Sequence, residues 1–200
     1  VFRIGDATNN VSWQSYQDIA AQPQVEWIVP VALGDSHEGF RVVGTSVEFF
    51  DRYHYRGDRP LTFAQGRAFS DLFDTVIGAD VAATLGYEVG TQIIVSHGMD
   101  RLGIAQHEDK PFTVSGILAK TGTPVDRSVH ISMEAIEAIH VDWRSGAPPR
   151  PGEATPIDRV RAMDLTPTSA TAALVGLKSR LGIFALQRYV NEYREEALTA

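Results

Sequence analysis

The chain has 200 residues, enough for one domain or two small ones with a packed core. Its 44% hydrophobic and 22% charged content is ordinary for a globular protein, and a formal net charge of -7 argues against a sequence-independent grip on nucleic acid or an anionic membrane surface. Cysteine is absent, which excludes a disulfide framework, a zinc ribbon and a thiol nucleophile. No apolar run reaches the ~18 residues of a transmembrane helix, and no signal peptide is present. The first residue is Val1 rather than methionine, so the chain reads as a piece excised from something longer.

In chain order, Val1 to Ile4 is predicted as a short edge strand. Ser12 then caps a helix carrying Trp13, Tyr16, Ile19 and Ala20, which Gln22-Pro23 ends. Val25 to Leu33 reads as a strand, Gly34 to Gly39 as a polar turn, and Phe40 to Val43 as the returning strand of a hairpin. Gly44-Thr45 breaks that pattern, and Ser46 to Tyr53 reads as a short helix with Val47, Phe49 and Phe50 turned inward. Residues 54 to 74 read as a long loop that turns at Arg56 to Pro60 and is pinned by Leu61, Phe63 and Phe69.

From Thr75 to Ser132 the pattern is strand, short helix, tight turn, strand, hairpin, strand, turn, strand. Val76 and Ile77 open it, and Ala79 to Leu85 follows with Val81, Ala82 and Leu85 at helical spacing. Asp80 suits the first turn of that helix, and Gly86 stands where a left-handed cap belongs. After a turn at Gly90-Thr91, Gln92 to Ser96 and Phe112 to Leu118 pair about a polar tip, residues 98 to 110, which is expected to project into solvent. Ser132 to His140 forms another capped helix, with Met133, Ile136 and Ile139 on one side. Residues 144 to 156, rich in proline and glycine, read as an exposed loop. The tail is predicted as a strand from Asp158 to Leu165, a helix from Thr168 to Leu181, a strand from Phe184 to Val190 and a helix beginning at Asn191.

Chemistry finds little footing. His97 and His107 flank the hairpin tip beside Asp100, Glu108 and Asp109, residue types that hold a transition metal, but their spacing matches no standard zinc pattern and a projecting tip gives poor preorganisation. They read as part of a solvated loop, and His37, His54, His130 and His140 as surface or boundary residues. There is no G-x-S-x-G elbow, and in GILAKTG (Gly116 to Gly122) Lys120 precedes the last glycine, which is not the Walker order. Glu195-Glu196 and Glu108-Asp109 are adjacent acids in solvated runs. No catalytic, cofactor-binding or metal-ligating residue is assigned.

The ordered set of segments at Val25 to Pro30, Phe40 to Phe50, Gly66 to Phe69, Val76 to Gly90, Phe112 to Leu118 and Thr121 to Asp126 resembles the extracytoplasmic core domain of MacB-like and FtsX-like ABC transporter permeases. The similarity covers about the first two-thirds of the chain, whereas Asp158 to Ala200 fits in pattern and not in motif. The resemblance implies an α+β fold of two lobes. A porter-like β-α-β lobe would come from both chain ends, residues 1–43 and 129–200, and a strand-rich Sabre-like lobe from the insertion 44–128. It further implies a non-catalytic domain, without cofactor, on the periplasmic face of the bacterial cytoplasmic membrane. Its parent would be an integral inner-membrane permease that works with a cytoplasmic ABC ATPase subunit, a second permease copy and a periplasmic partner or substrate. Such a domain passes ATP-driven conformational change to that partner. The competing expectation is a free-standing α/β enzyme or ligand-binding protein with a cleft between the lobes.

Overall fold

The computed structural model describes residues 10–97, 107, 109–143 and 153–200. The strand expected at Val1 to Ile4, most of the hairpin tip and residues 144–152 lie outside these. Strand β1 (Val11–Ser12) leads into α1 (Trp13–Ala20), whose N-cap Ser12 accepts a hydrogen bond from the Ser15 backbone N–H. The long strand β2 (Val25–His37) and β3 (Phe40–Thr45) form the expected hairpin. Its turn is tighter than the sequence suggested. Only Glu38 and Gly39 lie between paired His37 and Phe40, and both have positive φ (49° and 79°), as a two-residue hairpin turn with the right twist requires. Gly34 to His37 therefore belong to β2, and Gly44-Thr45 continue β3 rather than ending it.

Helix α2 (Phe49–Arg52) is shorter than expected; it buries Phe49 and Phe50 but leaves Val47 exposed before its first turn. The segment expected to be loop carries three short strands, β4 (His54–Tyr55), β5 (Arg59–Pro60) and β6 (Phe63–Gly66). Leu61 and Phe69 are buried there, as predicted. Next come β7 (Asp74–Ile77), α3 (Ala79–Leu85), β8 (Gln92–Ile93), β9 (Ser96–His97), β10 (Phe112–Leu118), β11 (Ser128–Ser132) and α4 (Met133–His140). These follow the sequence reading, except that the strand expected at Gln92 to Ser96 splits into β8, which pairs with β10, and β9, which pairs with β2 instead. Gly86 caps α3 in the left-handed region (φ 70°), and Ser132 caps α4 by accepting from the Ala135 N–H.

The tail inverts every element expected of it. It forms α5 (Ile157–Arg161), β12 (Ser169–Ala170), β13 (Ala172–Leu177) and α6 (Ile183–Asn191), with no helix after Asn191 among the described residues. Asp158 in the first turn of α5, with Arg159 and Arg161 in the last, suits a helix dipole. Ala172 to Leu177 favour a helix by composition, but the open edge of β2 takes them as an antiparallel strand, Leu174 opposite Val29. Leu186 and Val190, one helical turn apart, pack with Ile19 of α1 and Val25 of β2.

The main sheet is mixed, with strand order β13-β2-β3-β11-β7-β10-β6 and with β8 and β9 added along β10 and β2. Parallel pairs β3-β11 and β7-β10 alternate with antiparallel ones. Both faces of its centre are covered. Ile77, Val129 and Ile131 face one core with Val81, Ala135 and Ile139 of α3 and α4. Val76, between them in register, faces the other, with Phe49, Phe50, Leu61, Phe69 and Leu118. Each such side chain contributes roughly 1.5–3 kcal/mol by leaving water.

Candidate functional site

Polar groups converge at one end of the sheet, where β2, β9 and the start of β10 meet the last turn of α4. The strand register shifts between Leu33 and Ser36, and β2 is flanked there by β3 on one side and β9 on the other. Asp35, Ser36 and His37 are consequently all buried, an uncommon fate for three consecutive polar residues. His37 is held at both ring nitrogens. Nδ1 donates to the Ile94 carbonyl (2.7 Å), so Nε2 accepts from the Tyr87 hydroxyl (2.9 Å).

His107 returns into this corner. Its backbone N–H donates to the Val95 carbonyl, and its own carbonyl accepts from the Lys110 N–H. The ring is fully buried, not in the solvated loop that its neighbours suggested. It lies against Trp143 (centroids 4.7 Å apart) and edge-on to His140 (5.3 Å). His140 closes α4, with its Nδ1 donating to the Ile136 carbonyl at 2.7 Å and its Nε2 3.8 Å from an Asp35 carboxylate oxygen. One donor atom from each of Asp35, His107 and His140 lies within 4.8 Å of the other two.

Beneath them, the fully buried Lys110 ammonium donates to Asp109 and, at 2.9 Å, to Asp142. Burial opposes ionisation of Asp142, but hydrogen bonds from Thr155 and the Lys110 charge prevail and hold its carboxyl below the usual range. This network ties the foot of β10 to the end of α4.

Asp109 and His107 are therefore the members of the sequence-flagged group that the structure brings to this corner. Asp100 and Glu108 lie outside the described residues, and for His97 only the backbone register opposite Asp35 is defined. Asp35 and His140 carried no local signal, because both are far from His107 in sequence. His130 also departs from its boundary reading. It alternates with Val129 and Ile131, so it points into the second core, stacked on Phe49. Burial drives its pKa down to about 4, against a weak hydrogen bond with the Val76 carbonyl. His54 is exposed and pairs with Asp58 at 2.5 Å.

A second concave feature is apolar, a groove of about 530 Å³ between α1, β13 and α6, lined by Ile19, Val175, Leu186, Val190 and Leu198. At the entry to α6, Leu181, Ile183 and Phe184 are exposed. No helix of the described residues is long and apolar enough to cross a membrane.

A doubly covered mixed sheet with a paired-histidine corner and an apolar flank defines a mixed α+β domain. The sequence profile described as the MacB-like periplasmic core domain matches residues 1–173, and the chain belongs to that family, the periplasmic domain of ABC transporter permeases. Among solved structures, the extracellular domain of the noncanonic ABC-type transporter YknZ from Gram-positive bacteria is similar in fold. Its TM-score is 0.53 at 14% identity, over 98% of this chain and 89% of that one. The periplasmic region of MacB from Actinobacillus actinomycetemcomitans gives a TM-score of 0.50 at 13% identity, over 91% and 73% of the two chains. No curated protein sequence matches the chain.

Proposed function

We propose that this domain sits on the extracytoplasmic face of the cytoplasmic membrane as part of a permease. There it relays conformational change driven by a cytoplasmic ABC ATPase to a periplasmic substrate or partner, without chemistry of its own. The observation that carries this reading is the family match across residues 1–173. The continuous sheet supports it mechanically. Force entering at one end of a hydrogen-bonded ladder with both faces packed is transmitted rather than absorbed, because close-packed interiors deform little. The division into a porter-like part (1–43 and 129–200) and a Sabre-like part (44–128) belongs to the same proposal, the two parts sharing the sheet through β3, β11 and β7. A free-standing enzyme is the weaker reading, since the family match spans most of the chain.

The cysteine-free sequence offers a direct test. Asp58→Cys and Leu181→Cys, both at highly exposed side chains, are introduced into the parent protein. A membrane-impermeant maleimide should label them in intact spheroplasts. Labelling only after lysis would overturn the placement. The isolated domain is also expected to leave ATP unhydrolysed, and turnover above background would count against a purely mechanical role.

A further inference from the structure

The geometry points to a binding site for one divalent transition-metal ion, of which zinc is the type, formed by Asp35, His107 and His140. It does not depend on the permease reading.

Three different parts of the fold supply these groups: β2, the segment returning to β10, and the end of α4. Their donor atoms lie within 4.8 Å of one another. Metal bonds of 2.0–2.1 Å in a tetrahedron set donors roughly 3.4 Å apart, so contraction of under about 1.5 Å, within side-chain reach, closes the set. Ring orientation agrees with this. A carbonyl can only accept, so the Ile136 oxygen holds a proton on Nδ1 of His140 and turns Nε2 towards the Asp35 carboxylate, 3.8 Å away. A backbone acceptor on the far nitrogen is also the usual outer support of a ligating imidazole.

The surroundings suit such an ion. Asp35 and His107 are buried, so the site is preorganised and shielded, while His140 is half-buried beside a cleft of about 290 Å³ that reaches Asp35 and gives an ion and a water ligand a way in. The neighbouring cation, Lys110, is engaged by Asp109 and Asp142. Two imidazoles and one carboxylate favour zinc, nickel, cobalt or copper over calcium or magnesium, which take oxygen ligands. Bound there, the ion clamps the return of the hairpin onto β2 and α4.

The test uses the purified chain, stripped with EDTA and titrated calorimetrically with zinc chloride. One ion should bind per chain, and the melting temperature should rise with zinc concentration. Because losing even an outer support costs 10–100-fold, His107→Ala and His140→Ala should each weaken binding at least ~100-fold. His54→Ala, which removes an exposed His–Asp pair, should leave it unchanged. Absence of zinc binding, or affinity indifferent to both ligand variants, would overturn the proposal. Should either variant misfold by circular dichroism, cobalt(II) added to the unaltered chain decides. Visible d–d bands of tetrahedral or five-coordinate intensity that zinc displaces support the site, and the weak spectrum of free aqueous cobalt rejects it.

Discussion

The stretch from β7 to α4 and the tail from α5 to α6 are built by different forces. In the first, local signals and tertiary packing agree: capped helices, a left-handed Gly86 and apolar strands become what their residues prefer. In the second, partners far away in sequence decide. β12 exists because β1 pairs with it, and β13 because β2 offers an edge. A segment whose structure is imposed from outside carries weaker local preference, and its stability should depend on a few contacts with the imposing partner.

The largest expected effect is in the centre. Phe112→Ala, at a fully buried ring in edge contact with Phe73, should cost about 3–5 kcal/mol in urea denaturation. A loss as small as a surface substitution gives would break the claim that this region is the packed heart of the fold.

Next comes pH. The folded-state pKa of His130, about 4, lies below the ordinary histidine value of about 6.5, so the unfolded chain binds the extra proton first. The contribution of its neutral, buried ring is therefore complete above pH 6.5 and is lost as pH falls towards 4, to a total of roughly 3 kcal/mol. His130→Gln should flatten that part of the pH-stability curve. An unchanged slope would mean that other groups carry it.

In the tail, a Cβ on Gly176 would meet the Trp27 indole at 2.1 Å, too close without displacement of the ring. Gly176→Ala should cost about 1–3 kcal/mol and loosen β13 from β2, seen as faster amide exchange at 172–177. Normal protection there would show that the tail does not hang on this contact. Ser132→Ala, which removes the α4 cap, should cost about 1 kcal/mol. Smallest of all, Phe184→Ser at an exposed ring should shift stability by less than ~0.5 kcal/mol, since it leaves no cavity.

Particular residues show how far sequence reaches. Ser12, Ser132, Gly86 and the apolar spacing of Val81 and Leu85 determined α1, α3 and α4, because caps and periodicity act within a few residues and need no partner. The order of segments from Val25 to Asp126 likewise carried the family. Burial of His37 and His130 did not show, because it follows from strands covered on both faces, a property of neighbours rather than of the residue. The meeting of Asp35, His107 and His140 was equally hidden, since β2, β10 and α4 converge only once the sheet closes. Composition also misplaced the tail. Alanine and leucine favour a helix, and the open edge of β2 overrode that local preference by offering the hydrogen bonds that a strand there completes.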